Sequence, residues 1–156
     1  MNPSLLLVEI GNTTLGIGLT SGDKVVFLGS IDTDKKASAT HYEEQLQELL
    51  TTSLPKGCKL EGGYLSSVVP ELNDALLWAM QRVTRGAVGL INREDIEPHL
   101  PIAIEQPQSV GKDRLLDCLG ALTLAKKPLI VIDLGTAMTV NVIDAEGRYI
   151  GGMIIR

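Results

Sequence analysis

Twice in this chain an aliphatic run ends in an acid, one more aliphatic residue, a glycine and hydroxyl-bearing residues. The first copy is Val8-Glu9-Ile10-Gly11-Asn12-Thr13-Thr14, and the second begins Ile132-Asp133-Leu134-Gly135-Thr136. Each copy follows one strand-like run and precedes another, so each is expected at the tip of a hairpin. Residues 5–10 are continuously aliphatic, as in a strand covered on both faces. Residues 15–19 alternate like a partner strand, and Ser21-Gly22-Asp23 turns the chain into residues 25–28.

The apolar period then changes from two to 3.6. Tyr42, Leu46, Leu49 and Leu50 share a helical face behind Ser38 or Thr40 as N-cap, and Pro55-Lys56-Gly57 ends that helix. A short strand at 63–68 leads to Pro70 at a first helical position, with Leu72, Ala75, Leu76, Ala79, Met80 and Val83 on one stripe. Residues 87–91 form another strand. Residues 92–110 are expected as loop, with three prolines and a short strand around 102–104. A helix over 111–125 buries Leu115, Cys118, Leu119 and Leu122, and strands follow at 129–133, 139–144 and 149–155. The predicted order is βββαβαβα and then three more strands, a mixed α/β sheet with helices packed on it. It resembles the ribonuclease H-like fold of actin-like ATPases, with a first lobe at 1–126 and the start of a second at 127–156. The last strand has no later helix to cover its apolar face, so a fragment or a truncation is the expectation.

A nucleoside triphosphate needs backbone N–H groups aimed at phosphate oxygens and a carboxylate for Mg²⁺ or its waters. An acid–aliphatic–Gly hairpin offers both, and two of them can clamp one triphosphate from opposite sides. The chain has no GxxxxGK[ST] loop and no GxGxxG opening a helix, which excludes a P-loop and disfavours a dinucleotide fold. A third stretch, Pro107-Gln108-Ser109-Val110-Gly111-Lys112-Asp113-Arg114, places Gly111, Asp113 and Arg114 at a helix start. There the helix dipole favours an anion such as a carboxylate, Arg114 is a candidate ion-pair partner, and Asp113 a candidate proton acceptor from an alcohol.

Together the three motifs resemble those of the type III pantothenate kinases, of the acetate and sugar kinase superfamily. Val8–Thr14 is similar to that family's D-x-G-N-T hairpin and residues 109–114 to its G-A-D-R segment. The stretch from Ile132, with its later Gly151-Gly152-Met153-Ile154, is similar to the D-x-G-T-A-T-T segment and G-G-x-I strand, and residues 65–72 to its strand-to-helix junction. The likeness spans the chain and about three-fifths of a usual member. It implies ATP-dependent phosphorylation of pantothenate to 4'-phosphopantothenate, opening coenzyme A biosynthesis. ATP binding falls on Glu9, Ile10, Gly11, Asn12, Thr13, Thr14, Leu15 and Gly16, with Thr136 from the second lobe. Pantothenate binding falls on Gly111, Lys112, Asp113 and Arg114, with Asp113 the catalytic proton acceptor. A monovalent cation, K⁺ or NH₄⁺, falls on Asp133 and accompanies Mg²⁺, and the full-length form is expected as a cytoplasmic homodimer.

Three departures stand out: Glu9 where the family has Asp, Lys112 for a small Ala, and Ile104 where members commonly carry Tyr. An extra methylene at Glu9 displaces a metal or its water, and a shift of about 1 Å can cost on the order of 10²-fold in rate. The alternative is therefore a catalytically impaired, kinase-derived nucleotide-binding or regulatory protein, and a weaker one is a kinase for another alcohol or carboxylate. The net charge of −5 and pI near 5.0 argue against nucleic acid as a partner. No run of about 18 apolar residues suits a membrane span. Cys58 and Cys118 show no metal-ligand spacing and are expected as two free thiols. His41 and His99 are expected in surface or capping roles, Glu94, Asp95 and Glu97 in a solvated loop, and Trp78 in a core or subunit-contact stripe.

Overall fold

In the computed structural model, which describes residues 4–156, strand β1 (Ser4–Ile10) runs through the middle of a five-stranded mixed sheet. It pairs antiparallel with β2 (Thr14–Ser21) and parallel with β4 (Leu60–Ser67). Strand β3 (Lys24–Asp32) lies outside β2, and β5 (Ala87–Leu90) lies parallel outside β4, giving the order β3-β2-β1-β4-β5. Aliphatic side chains on both faces suit the central place: Leu6, Val8 and Ile10 are buried, and Glu9 is the exposed exception.

Helix α1 (Ala39–Ser53) starts where expected, with the Ser38 side chain accepting from the His41 N–H at 3.1 Å. Its buried face is Tyr42, Leu46 and Leu50. The Tyr42 hydroxyl donates to the Asp34 carbonyl at 2.7 Å and accepts from the Asp34 N–H at 3.0 Å, tying the incoming loop to the helix. Pro70 opens a single 3₁₀ turn, Pro70–Leu72, that feeds α2 (Asn73–Thr84). Leu76, Ala79 and Met80 of α2 join Tyr42, Leu46 and the β1 and β2 aliphatics in one core. Burying each of the Leu, Ile, Val and Met side chains among them contributes about 1.5–3 kcal/mol. Trp78 is partly exposed, with the Arg82 guanidinium carbon 4.9 Å from its ring centre.

Contacts divide the chain into two compact units, one ending at Ile91 and one covering Asn92–Arg156. Within the second unit, α4 (Lys112–Leu124) packs on the strands that follow it. Those strands, β6 (Leu129–Leu134), β7 (Met138–Ile143) and β8 (Tyr149–Ile155), form an antiparallel sheet in sequence order. Its face toward α4 carries Asn141, Ile143 and Tyr149, all buried. Ile130, Ile132, Leu134 and Met153 are all exposed, and the strand alternation puts Ile130, Ile132 and Leu134 on the opposite face. The uncovered apolar surface expected from the sequence is present.

Two expectations for residues 92–110 are corrected. The acidic cluster is not loop: Arg93–Ile96 is a one-turn helix, α3, with a capping box between Asn92 and Asp95. The expected strand at 102–104 is a single parallel bridge, Ile102 to Tyr149, flanked by Ala103 N–H to Tyr149 O at 2.8 Å and Tyr149 N–H to Pro101 O at 2.9 Å. Pro101, beside the bridge, has no N–H to extend the ladder toward the N-terminus.

Both cysteines are free thiols, with Cys118 buried inside α4 and Cys58 half-buried. Burial, reinforced by Asp117 and opposed by Arg114, pushes the Cys118 thiol up to about 11. A disulfide-exchange reagent at about pH 8 is expected to titrate Cys58 alone in the native chain and both thiols after denaturation. Rapid native labelling of Cys118 would contradict the packing of α4.

Candidate functional site

Ile10 and Leu15 lie fully in the core, so of the first hairpin only their backbone can face a ligand. Glu9, Asn12, Thr13 and Thr14 are exposed, and Gly11 and Gly16 are partly so. The turn between β1 and β2 is held closed by the Gly11 N–H donating to the Thr14 carbonyl at 2.9 Å. It is pinned again from beyond β3, where the Thr33 hydroxyl donates to Gly11 O at 2.8 Å and the Thr33 N–H to Thr13 O at 2.9 Å. Thr33 was not singled out by the sequence, since nothing local marks its partner.

Register sets the chemistry around Glu9. Directly across the ladder from it lie Gly16 on β2 and Ser66 on β4, and paired residues share a face. A Cβ built on Gly16 would meet nothing within 4 Å. A glycine inside a strand weakens it, so the fold itself has no use for glycine here. What the glycine leaves is open space beside a carboxylate, at the end of parallel strands β1 and β4. Strand ends of this kind are where open α/β sheets bind ligands.

In the second unit, the β6–β7 hairpin is closed by the Gly135 N–H donating to Ala137 O at 3.1 Å, and Asp133, Gly135 and Thr136 are exposed. Asp133 pairs in register with Thr139. The Thr139 hydroxyl is buried and has no hydrogen-bond partner among the described residues. A carboxylate and an unsatisfied hydroxyl in one cross-strand pair make an oxygen donor set suited to a hard cation. No cluster of three or more His, Cys, Asp or Glu exists among the described residues, so a cation here would draw its remaining ligands from water or a bound anion.

The third stretch is built from two directions. On its N-terminal side, Arg93 of α3 donates to the carbonyls of Val110, at 2.8 Å, and Pro107, and pairs with Glu97 at 2.6 Å. That anchors the loop entering α4. Gly111 is the N-cap residue, and Lys112 and Asp113 are the first helical positions, both half-buried. Asp113 Oδ1 lies only 2.5 Å from where a Cβ on residue 111 would stand. Glycine at 111 is what lets the carboxylate lie over the helix start.

Arg114 turns away from this surface. It is buried, its Nε donates to Asn141 Oδ1 at 2.8 Å, and a terminal nitrogen donates to Val140 O at 3.2 Å and Tyr149 Oη at 3.0 Å. The Tyr149 hydroxyl donates in turn to Asn141 Oδ1 at 3.1 Å. Burial, the largest influence, raises the Tyr149 pKa against the lowering effect of Arg114, so the phenol stays a donor. Two donors converge on Asn141 Oδ1, which fixes the amide orientation and leaves its Nδ2 buried and unpaired among the described residues. An orphaned buried donor costs on the order of 1–3 kcal/mol. Arg93, Asn141 and Tyr149 were not picked out by motif, though Arg114 falls one turn before the buried Cys118.

Comparison with known proteins fits this geometry. A sequence model described as type III pantothenate kinase matches residues 5–155. The type III pantothenate kinase of Syntrophotalea carbinolica is 35% identical over 153 residues, covering 96% of this chain and 58% of that protein. That of Bifidobacterium animalis subsp. lactis is 33% identical over 150 residues, covering 96% and 59%. The chain thus spans under three-fifths of the length of these relatives. Among solved structures, the ethanolamine utilization protein EutJ from Carboxydothermus hydrogenoformans aligns with a TM-score of 0.56 at 12% identity, over 99% of this chain and 52% of that one, a likeness of fold. No helix of the described residues is long and apolar enough to cross a membrane. With a family match running nearly end to end and its three motifs at both hairpins and the start of α4, the chain belongs to the type III pantothenate kinase family.

Proposed function

We propose that this chain carries the nucleotide hairpins and the pantothenate segment of an ATP-dependent pantothenate kinase, forming 4'-phosphopantothenate at the first step of coenzyme A biosynthesis. The observation that supports it best is the Asp113 carboxylate lying over Gly111 at the start of α4. A proton acceptor there sits beside helix N–H groups that favour an anionic substrate. In this reading Gly11–Gly16 and Glu9 bind the nucleotide from the first lobe, residues 1–126, and Thr136 from the second, residues 127–156. Gly111, Lys112, Asp113 and Arg114 form the pantothenate segment.

Asp113 accepts the proton of the primary hydroxyl as its oxygen attacks the γ-phosphorus, the bond to the bridging oxygen breaks, and ADP leaves. Such transfers depend on positioning and charge stabilisation. Mg²⁺ held by the phosphates near Glu9, and K⁺ or NH₄⁺ at Asp133 and Thr139, would neutralise the charge of the nucleotide. Two free thiols suit a reducing, cytoplasmic setting. A homodimer of the full-length form belongs to the same reading.

The test is phosphopantothenate formation with Mg·ATP and potassium, using the chain continued to the length of its relatives. Asp113→Asn is expected to lower kcat by about 10²–10⁴-fold with an unchanged melting temperature, the range a positioned acid or base supplies. Retained turnover would reject the proton-acceptor role. Gly16→Ala is expected to keep its stability to within about 0.5 kcal/mol, as at an unobstructed site. It should nevertheless raise the KM for ATP about tenfold or more, equivalent to about 1.4 kcal/mol of binding. Unchanged ATP kinetics would show that the space beside Glu9 holds no nucleotide.

A further inference from the structure

We propose that Thr33 is a positioning residue for the nucleotide. Strapped to Tyr42 of α1 through Asp34, it holds the β1–β2 turn so that the Asn12 and Thr14 N–H groups are presented to the phosphates. The inference rests on the reading of that hairpin as the nucleotide site.

Thr33 spends both its side chain and its backbone donor on the turn. Its hydroxyl donates to Gly11 O at 2.8 Å, across 22 residues of chain, and its N–H donates to Thr13 O at 2.9 Å. The Gly11–Asn12 and Thr13–Thr14 peptides are trans, so each is a plane with C=O and N–H on opposite edges. Drawing the Gly11 carbonyl toward Thr33 therefore turns the Asn12 N–H away from it. Drawing the Thr13 carbonyl does the same for the Thr14 N–H. The Gly11 N–H closes the turn onto Thr14 O at 2.9 Å, and a Cβ on Gly11 would stand 3.0 Å from that oxygen, so the pinch is tight. The carbonyls of Gly11, Thr13 and Thr14 are thus all engaged within the protein. Peptide N–H groups attract phosphate oxygens and carbonyl oxygens repel them, so fixing the carbonyls decides which peptide edges an anion meets.

Thr33 is itself held from the core. Strand β3 ends at Asp32, which pairs with Thr14, and Thr33 is the next residue. Beyond it, the fully buried Tyr42 donates its hydroxyl to Asp34 O at 2.7 Å and accepts from the Asp34 N–H at 3.0 Å. Burial, the largest influence, raises the Tyr42 pKa, so the phenol keeps the proton it donates. Asp34 O also accepts from the Ala37 N–H at 3.1 Å, and Asp34 Oδ1 from the Lys36 N–H at 2.8 Å, which closes the connection leading to the Ser38 cap. The core beneath α1 thereby reaches the nucleotide turn through two residues. Thr33→Val and Tyr42→Phe each remove one hydroxyl and leave the volume filled, whereas Thr33→Ser keeps the hydroxyl.

Two measurements test the strap. In the 156-residue chain, hydrogen exchange of the Gly11 amide is expected to accelerate about tenfold or more in Thr33→Val and in Tyr42→Phe, the scale of one lost hydrogen bond, with β4 amides unchanged. In the chain continued to its relatives' length, both variants are expected to raise the KM for ATP about tenfold or more while the KM for pantothenate stays within about twofold. Thr33→Ser is expected to keep both readouts close to wild type. Unchanged Gly11 exchange in Thr33→Val or in Tyr42→Phe would overturn the strap. So would an unaltered KM for ATP in Thr33→Val, or an equal rise in both KM values, the mark of a general loss of structure. A wild-type chain without turnover, whose Gly11–Gly16 amides ignore Mg·ATP, would reject the reading of the hairpin, and the exchange data would still decide the strap.

Discussion

The candidate site of the first unit depends on β1 being held from both sides. Its antiparallel bond to β2 and parallel bond to β4 bury Leu6, Val8 and Ile10 and leave one position, Glu9, at which a carboxylate can stand in water. A one-residue slip would send Glu9 into the core and an aliphatic residue out, and burying an unpaired carboxylate is far costlier than any hydrogen bond regained. The register that folds the sheet is therefore the register that places the acid next to Gly16. Stability and site share one cause here.

The second unit solves a different problem. Its sheet has only three strands and a face left bare by the described residues, so it cannot rely on a deep core. It relies instead on a polar fastening, the guanidinium of Arg114 spread over Asn141, Val140 and Tyr149. Buried polar groups of this kind specify one arrangement more than they add net stability. That would suit the proposed role of Asp113 in the first turn of this helix, because small displacements at a reacting group are costly in rate.

Much of this was legible in the sequence. The strands and the three longer helices followed from changes in apolar period, and Ser38 and Pro70 marked helix starts for reasons of hydrogen bonding that hold locally. What was not legible was non-local. A four-residue helix is too short to show a period, so α3 read as loop until Arg93 and the Asn92–Asp95 capping box gave it partners. Strand β3 runs to Asp32, past the expected end at 28, because its ladder with β2 continues through a bulge between Ile17 and Gly18. The burial of Arg114 against Asn141 and Tyr149 was not legible either, because those partners lie 27 and 35 residues further along the chain.

The proposed function has two hairpins of the same design binding one nucleotide. Amide NMR of the chain continued to its relatives' length, titrated with Mg·ATP, tests it most directly. The account predicts that Gly11–Gly16 and Asp133–Thr136 shift together along a single saturation curve. Shifts confined to one hairpin, or two hairpins saturating at separate concentrations, would contradict it.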